Sequence, residues 1–318
     1  MIPLLGGVIS TDRLRTLRCV TIGNFDGVHL GHQALLARAR AVAGPGGTVV
    51  AVTFEPHPMR LLRPELAPQN VQLPAERLQA LRDAGADEVR VLEVKPSLLG
   101  MQAQDFIEWL KRDVGFDGIV EGPDFQFGKG RGGDIDLLRS LGVKLGFRVE
   151  VVEPVQVQLG DAGVAPASSS LLRWLLAQGR VEDVARVLGR PYAFSGSVVR
   201  GDQRGRDLGW PTCNVEHGDR ILPADGVYAG VVLLPDGGRR RAAISVGTKP
   251  TFGEAERTVE AFLLDHQAPL DQYGWTLTIR FDRWLREQAR FDAMPALAAQ
   301  MHRDVVRTRE EISMEALA

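Results

Sequence analysis

Residues 20–32 read V-T-I-G-N-F-D-G-V-H-L-G-H, and this stretch determines the fold predicted for the first half of the chain. Val20, Thr21 and Ile22 are typical of the end of a buried strand, the glycines after them indicate a tight turn, and a helix is predicted from His29 onward. The first N–H groups of a helix lack intrahelical acceptors and carry a partial positive charge, so phosphate binds there readily. The stretch therefore predicts a strand that runs into a helix through a nucleotide-binding turn.

Two histidines, His29 and His32, lie three residues apart in the predicted helix start. This spacing places both imidazoles on one helix face, beside the position of a bound phosphate. Gly31 between them removes a side chain where a base or a ribose would press against the backbone. The alternative interpretation is a glycine-rich turn with two surface histidines, but the presence of Asp26 in the same turn favours the nucleotide site.

The composition limits the classes of function. A chain of 318 residues favours two domains, and a net charge of -2 provides no basic surface, so no nucleic-acid partner is expected. Cys19 and Cys213 lack the spacing of a zinc site or a disulfide framework, which favours a reducing cytoplasm. No stretch reaches the roughly 18 consecutive apolar residues of a membrane span, so no membrane partner is expected. The sequence assigns no oligomeric state.

Strands and helices alternate through the first half. This pattern predicts a parallel sheet with crossover helices, in which ligands bind beyond the carboxyl ends of the strands. After the opening strand, further strands are predicted at 48–54, 88–94, 118–122 and 147–152. Helices are predicted at 74–84, 103–114, 134–145, 171–178 and 181–188.

Two segments of this half can be explained by local structure as well as by ligand binding, and for the serine segment at 168–173 helix capping is the favoured interpretation. Residues 54–58 contain two prolines that stiffen a loop and can hold Phe54 and His57 in place, although a stiff turn alone has the same composition. The serines at 168–170 precede an apolar helical run and are predicted helix N-caps. Arg173 would then lie near the helix start, where a phosphate also binds favourably.

The loop at 121–133 combines glycines and two cations with a carboxylate, Asp124, and two aromatic rings, Phe125 and Phe127. Such a composition suits a loop that closes over a flat ring and its phosphates. A solvated flexible loop would explain the glycines, but it would expose both phenylalanines to water.

Short strands without intervening helices follow Gly189, and this pattern predicts a small antiparallel barrel. A helix is predicted after its last strand. The predicted domains are therefore 1–188 and 189–318. The barrel strands are predicted at 193–200, 227–234, 241–246, 258–265 and 275–281, and the terminal helix at 294–314.

A glycine-rich segment at 201–214 carries the first candidate chemistry of the second half. Its glycines free backbone amides to approach phosphates, and Thr212 and Asn214 offer oxygen ligands suited to Mg²⁺. The segment lacks the glycine-lysine-serine/threonine ending of a Walker loop, which excludes that kinase fold. A solvated hairpin loop remains the alternative for residues 201–207.

Glu260 is the second candidate, in a predicted strand whose neighbours are apolar. Alternation places Glu260 on the same face as Phe262 and Leu264, so its carboxylate is expected to be desolvated, which raises a carboxyl pKa towards general-base strength. A glutamate at the barrel rim in a salt bridge is the alternative.

The chain resembles the bacterial bifunctional riboflavin kinase/FAD synthetases. The first half is similar to their HIGH-type nucleotidyltransferase part in the motifs G-x-F-D-G-x-H-x-G-H at 23–32, F-x-P-H-P at 54–58, G-x-D-F-x-F-G at 122–128 and the serine-rich segment at 168–173. The second half is similar to the riboflavin kinase module in G-R-x-L-G-W-P-T-C-N at 205–214, G-V-Y-A at 226–229, G-T-K-P-T-F-G at 247–253 and the Glu260 strand followed by D-Q-Y-G at 271–274. Ser170, Leu171 and Cys213 depart from the residues usual in this family.

The resemblance implies a Rossmann-like first domain, a barrel second domain, and a set of site residues carried over by position. The catalytic residues would be Glu260, His29 and His32. The ATP and phosphate contacts of the adenylyltransferase would be Gly23, Asn24, Phe25, Asp26, Gly31, Ser169 and Arg173. The FMN or nucleotide pocket would contain Phe54, His57, Asp124, Phe125 and Phe127. The ATP and flavin contacts of the kinase would be Gly201, Arg206, Gly209, Pro211 and Tyr228, and the Mg²⁺ ligands Thr212 and Asn214.

The implied function is ATP-dependent phosphorylation of riboflavin to FMN, followed by adenylylation of FMN to FAD with release of pyrophosphate. One alternative is a related nucleotidyltransferase with another phosphorylated acceptor, which leaves the barrel unexplained. Another is a non-catalytic flavin-binding protein, against which the intact catalytic positions argue.

Overall fold

The computed structural model describes residues 16–201, 210–248, 257–266, 273–291 and 293–317. The chain forms two compact units that are not contiguous in sequence. The first comprises residues 16–23, Ala34–Leu61 and Arg82–Glu153. The second comprises Asn24–Gln33, Leu62–Leu81 and the described residues from Pro154 onward.

Parallel strands organise the first unit: β1 (Arg18–Ile22), β2 (Thr48–Glu55), β3 (Glu88–Glu93), β4 (Gly118–Glu121) and β5 (Arg148–Val151). In space they follow the order β3-β2-β1-β4-β5, so the order reverses between β1 and β4. This reversal is the topological switch point at which open α/β sheets bind ligands. The chain leaves β1 at this point towards the motif at 23–32.

Helices connect these strands along the chain: α1 (Leu30–Ala43), α2 (Met59–Leu62), α3 (Pro74–Asp83), α4 (Pro96–Leu99), α5 (Ala103–Val114) and α6 (Ile135–Leu145). The start of α6 is set by Asp134, whose carboxylate accepts a hydrogen bond from the Leu137 N–H. Its end is set by Gly146, which adopts the left-handed conformation with φ 70°.

The core of the first unit lies against the central strands. The apolar runs of β1 and β2 are almost entirely buried, as expected for parallel strands covered on both faces. Phe106, Ile107 and Leu110 of α5 and Leu138 of α6 belong to the same buried cluster.

The second unit begins with the hairpin β6 (Gln156–Gln158) and β7 (Val164–Pro166), followed by α7 (Ser169–Ala177) and α8 (Val181–Leu188). A closed antiparallel barrel follows, built from β8 (Tyr192–Val199), β9 (Cys213–Val215), β10 (Gly226–Leu233), β11 (Arg239–Thr248), β12 (Arg257–Leu263) and β13 (Thr276–Glu287). Around the barrel the order is β10-β11-β12-β9-β8-β13. The helix α9 (Met294–Glu311) comes after the barrel and contacts β10, β11 and β13.

The fold class predicted from the sequence is confirmed. The longer predicted elements recur within a few residues of their expected bounds, except β13, which was predicted to end at 281 and continues to Glu287. Gly189 ends α8 in the left-handed conformation with φ 73°. The sequence missed the hairpin β6–β7, the strand β9 and the single-turn helices α2 and α4, because segments of three or four residues are too short to display a period. Among the described residues, no helix has both the length and the apolar character that crossing a membrane requires.

Within the second unit, Arg220 joins the start of α3 to the barrel. Its side chain is 1% exposed, it forms an ion pair with Glu76 at 3.0 Å, and its guanidinium lies 4.3 Å from the centre of the Phe194 ring. Glu76 also accepts a hydrogen bond from the Leu73 N–H at 3.0 Å. Burial lowers the pKa of Arg220, and the Glu76 carboxylate opposes that shift.

Replacing Glu76 with glutamine is expected to lower the free energy of unfolding by about 2 to 3 kcal/mol, because it leaves the buried Arg220 charge without its counterion. Urea unfolding of the variant measures the loss. The matched control is Glu65→Gln, at an exposed position of the same chain segment. Equal stability of the two variants would show that the ion pair contributes nothing.

Candidate functional site

Asp26 is the most heavily bonded residue of the histidine turn, the name used here for residues 24–32. Its side chain is 2% exposed. The carboxylate accepts hydrogen bonds from the Val71 N–H at 2.9 Å and the Gln72 N–H at 3.1 Å, and it forms an ion pair with Arg173. Its backbone carbonyl accepts a hydrogen bond from the Ser169 hydroxyl at 2.7 Å. Asp26 therefore holds the turn against segment 71–72 and the start of α7.

The backbone of the histidine turn is strained. Phe25 and Val28 have φ of 50° and 44°. Residues other than glycine rarely adopt this left-handed region, and β-branched residues such as valine do so least of all. Gly27 has φ of 92°, and a Cβ there would lie 2.6 Å from Leu172 of α7. Only glycine fits at position 27, for both its conformation and its contact.

His29 and His32 form a stacked pair, with ring centroids 3.6 Å apart and planes inclined by 25°. The ring of Phe25 meets His32 edge-on at 5.0 Å. The Nδ1 atoms of both histidines are buried and have no hydrogen-bond partner in the described chain. Burial lowers the pKa of His29 to about 4, and burial together with His29 lowers the pKa of His32 well below its usual value. Both rings are therefore neutral near pH 7.

Gly31 lies under the His29 ring. A Cβ at this position would be 3.1 Å from two ring atoms of His29 and 3.2 Å from the Ala167 carbonyl oxygen. The N-cap of α7 is Ser168, whose hydroxyl accepts a hydrogen bond from the Leu171 N–H at 3.1 Å. The turn, its histidines and the start of α7 thus form one cluster that also contains Ser169 and Arg173.

The remaining predicted residues of the first half lie in the first unit, apart from Asn24, which is half-buried in the turn. The Gly23 N–H donates to the Val52 carbonyl at 3.0 Å. Phe54 is half-buried beside the core, and His57 accepts a hydrogen bond at Nδ1 from the Met59 N–H at 3.1 Å.

The two phenylalanines of the loop after β4 differ in burial. Phe127 is 6% exposed and packs against Phe106, and Phe125 is half-buried and stacks on Phe127 with centroids 5.3 Å apart. Asp124 is exposed. Phe127 therefore supports the loop from beneath, whereas Phe125 and Asp124 remain accessible to a ligand.

In the barrel, Thr212, Asn214 and Glu260 lie together. Asn214 of β9 is directly opposite Glu260 of β12, and the Thr212 hydroxyl donates to the Glu260 carboxylate at 3.2 Å. Glu260 is on the outer face of the barrel wall, because its neighbours Val259 and Ala261 point into the buried core. It is half-buried, so the full desolvation expected from the sequence is not found.

The other predicted kinase contacts differ in position. A Cβ at Gly201 would lie 2.0 Å from the Asn214 amide, so the backbone there passes directly over the site. Pro211 is half-buried next to Thr212. Tyr228 is fully buried inside the barrel and donates to the Ala224 carbonyl at 2.6 Å, so its ring has no surface for the predicted ligand contact. Arg206 and Gly209 lie outside the described residues.

Two families match the chain in the order expected. FAD synthetase matches residues 13–163, and riboflavin kinase matches residues 188–312. The bifunctional riboflavin kinase/FMN adenylyltransferase of Pseudomonas fluorescens is 37% identical over 295 residues, which cover 92% of either chain. That of Escherichia coli K12 is 33% identical and covers 96% of this chain and 97% of its own.

The chain belongs to the bifunctional riboflavin kinase/FMN adenylyltransferase family.

A solved structure from Streptococcus pneumoniae, described as a macrolide-efflux protein, has the same fold as this family member. It superposes with a TM-score of 0.82 at 29% identity and covers 93% of this chain and 94% of its own. This likeness concerns the fold. The family predicted from the sequence motifs is confirmed.

Several residues that hold parts of the two candidate sites of this riboflavin kinase/FMN adenylyltransferase were missed by the sequence analysis. Gln33 and Arg190 donate to backbone carbonyls of the histidine turn. In the barrel, Ser245 of β11 lies directly opposite Glu260, and Gln288 donates to its hydroxyl at 3.3 Å. No sequence signal marks these residues, because each acts on a partner distant in the chain or on backbone atoms.

Acidification is expected to destabilise the folded enzyme through His29. Its pKa is about 4 when folded, against an ordinary 6.5 in the unfolded chain. The neutral imidazole contributes fully to stability above pH 6.5, and this contribution is lost as the pH falls towards 4, because the unfolded chain takes up the proton first. Between pH 7 and pH 5, wild type should lose about 2 kcal/mol more unfolding free energy than His29→Gln.

Urea unfolding at the two pH values measures this difference. His302→Gln, at an exposed position on α9, is the matched control and should retain the wild-type pH dependence. If the His29 variant lost as much stability as wild type on acidification, burial of a neutral imidazole would not be the cause.

Proposed function

We propose that this enzyme makes FAD in two successive ATP-dependent reactions, each at the site that its own half of the chain provides. The barrel phosphorylates riboflavin to FMN, and the histidine turn adenylylates FMN to FAD. The observation that carries this proposal is the presence in one chain of both clusters, the stacked His29–His32 pair and the Glu260–Thr212 hydrogen bond, each within its matching family region.

In the adenylyl transfer, a phosphate oxygen of FMN attacks the α-phosphorus of ATP. The bond between the α-phosphorus and the bridging oxygen breaks, and pyrophosphate leaves. The attacking group is already an anion, so no protein nucleophile is required. The protein has to stabilise charge on the phosphates, which the imidazole N–H groups of His29 and His32 and the first amides of α1 can do.

Asp26 and Arg173 have complementary roles in this proposal. The Asp26 carboxylate is occupied by two N–H groups and a guanidinium, so it positions the turn and does not contact ATP. Arg173 also donates through Nε to the Gln69 carbonyl at 2.7 Å, and its side chain is 18% exposed. We assign its exposed edge to the triphosphate, with Asp26 fixing its orientation.

In the kinase reaction, the acceptor is a neutral hydroxyl and needs a base. Glu260 would take the proton from the riboflavin 5′-hydroxyl as its oxygen attacks the γ-phosphorus of ATP, and ADP leaves. The Thr212 hydroxyl donates to the carboxylate and orients it, which supports this role. We also propose that the half-buried Trp210, whose ring lies 4.9 Å from that of Phe262, borders this site.

The donor set around Glu260 fits Mg²⁺. The hydroxyl oxygen of Thr212 and the amide oxygen of Asn214 are hard ligands of the kind that this ion prefers, and the Glu260 carboxylate beside them stays available as the base. No group of three or more His, Cys, Asp or Glu side chains is clustered in the described ranges, so a magnesium ion here would complete its shell with ATP phosphates and water. When bound, Mg²⁺ neutralises charge on the transferred phosphate.

We retain 1–188 and 189–318 as the functional domains, with α8 and Gly189 at the boundary. The compact units follow another division, since residues 24–33, 62–81 and 154–188 cluster with the barrel. Cys19 and Cys213 are buried free thiols, which supports the proposal of a reducing, cytoplasmic location.

A chromatographic time course with riboflavin, excess ATP and Mg²⁺ tests the function. FMN should rise and then fall as FAD accumulates. FMN as the sole product would overturn the adenylyltransferase assignment, and absence of any product would favour a flavin-binding protein.

Two substitutions should separate the reactions. His29→Ala is expected to slow adenylylation of supplied FMN roughly 100-fold, through loss of a phosphate donor, while phosphorylation of riboflavin continues. Glu260→Gln should slow riboflavin phosphorylation roughly 100-fold or more, while supplied FMN is still converted to FAD. Initial rates with each acceptor separately are the measurement.

The matched controls are His302→Ala and Glu310→Gln, both at exposed positions of α9. If either site variant lost both activities equally, the two-site assignment would be wrong.

A further inference from the structure

Two side chains outside the predicted site hold the backbone of the histidine turn. Arg190 donates from one guanidinium nitrogen to the Gly27 carbonyl at 3.0 Å and from another to the Val28 carbonyl at 3.3 Å. Gln33 donates to the same Val28 carbonyl at 2.9 Å. Both side chains also donate to the carbonyl of Leu188, the last residue of α8, at 3.3 Å and 2.8 Å. The side chains of Arg190 and Gln33 thus link the histidine turn to the end of α8.

These bonds fall on the strained part of the turn. Gly27 and Val28 have φ of 92° and 44°, and His29 follows immediately. A β-branched residue in the left-handed region persists only where its surroundings hold it in place. Arg190 and Gln33 supply that restraint from the carbonyl side. The direction in which the His29 ring leaves the turn therefore depends on them.

Arg190 is well placed to act in this way. It follows Gly189, where α8 ends and where a Cβ would lie 2.8 Å from Leu30, the first residue of α1. A guanidinium is planar and donates in several fixed directions, so it can span two adjacent carbonyls and the helix end at once. The single ammonium of a lysine cannot reproduce that geometry.

Arg190 also lies on the kinase side of the sequence. Riboflavin kinase matches residues 188–312, whereas FAD synthetase matches residues only up to 163. The donor and the Gly27 carbonyl are 163 residues apart. The turn that carries the adenylyltransferase histidines is therefore braced by a residue of the other functional half.

We propose that Arg190 is a positioning residue for adenylyl transfer, acting through the backbone of Gly27 and Val28 on the histidine pair. This inference rests on the proposed function of the histidine turn. Arg190 does not take part in the chemistry of either reaction. Its loss leaves the barrel site unchanged and lets the turn relax from the geometry that aligns His29 and His32 with the phosphates.

The experiment compares Arg190→Ala and Arg190→Lys with wild type in the full-length enzyme. Adenylylation of supplied FMN and phosphorylation of riboflavin are measured separately, with kcat and KM for ATP in each reaction. Arg190→Ala should lower kcat/KM for adenylylation roughly 10- to 100-fold. The loss should fall mainly on kcat, because misplaced histidines stabilise the transition state less while ATP binding in the ground state changes little. Arg190→Lys should fall between it and wild type, and riboflavin phosphorylation should be unchanged in both.

Arg186→Ala is the matched control, since Arg186 lies four residues earlier on α8 and its side chain is 49% exposed. Gln33→Met is the second probe, because it removes the other donor to the Val28 carbonyl. In the double variant with Arg190→Ala, the fold-loss of adenylylation should be smaller than the product of the two single fold-losses, because the two donors share one acceptor.

Unchanged adenylylation in Arg190→Ala, or equal losses in both reactions, would overturn the proposal. If Arg190→Ala does not fold, Arg190→Lys still decides: the proposal requires it to lower adenylylation while riboflavin phosphorylation is unchanged, and it fails otherwise. A wild-type enzyme that forms no FAD would refute the proposed function itself, which distinguishes that failure from failure of the Arg190 inference.

Discussion

The buried carboxylate of Asp26 is the constraint on which the histidine turn depends. A charge at 2% exposure is stable only when it is fully bonded, and here two N–H groups of residues 71–72 and the Arg173 guanidinium meet that requirement. These partners come from segments about 45 and 147 residues away in sequence. Strained backbone at Phe25 and Val28 is held between this anchor and the carbonyl bonds from Arg190 and Gln33.

The two candidate sites rely on different physical means because their acceptors differ. A phosphate acceptor is already ionised, so the histidine turn needs hydrogen-bond donors, and burial keeps its imidazoles neutral in the free enzyme. A hydroxyl acceptor must lose a proton, and the barrel places a half-buried carboxylate in a row with Ser245 and Asn214 on adjacent strands.

The compact units and the two family matches divide the chain differently. The residues of the histidine turn, together with 62–81 and 154–188, cluster with the barrel even though the motif at 23–32 belongs to the FAD synthetase match. The ion pair of Glu76 with Arg220 and the hydrogen bond from the Ile221 N–H to the Asn70 carbonyl at 2.8 Å are part of that clustering. Segment 70–76, which anchors Asp26, is therefore itself anchored on barrel residues.

Much of the fold could be predicted because it depends on local chemistry. Apolar β-branched runs predict the parallel strands, glycines with positive φ mark the ends of α6 and α8, and the side chain of Ser168 caps α7. Several candidate site residues could also be selected from the sequence, since His29, His32, Thr212, Asn214 and Glu260 lie in dense motifs, and their roles stay predictions. The role of Tyr228 was not predictable, because its residue type suits a flavin contact as well as a barrel core.

The sequence by itself determined the two architectures, the family and the residue types that can bind phosphate or remove a proton, because these follow from short-range periodicity and motif spacing. Tertiary structure alone decided that Asp26 is an anchor, that Phe127 and Tyr228 are packed in cores, and that Arg190 braces a turn 163 residues away. These three outcomes depend on which distant segments of the chain come into contact and on how completely a side chain is buried. Neighbouring residues in the sequence specify neither property.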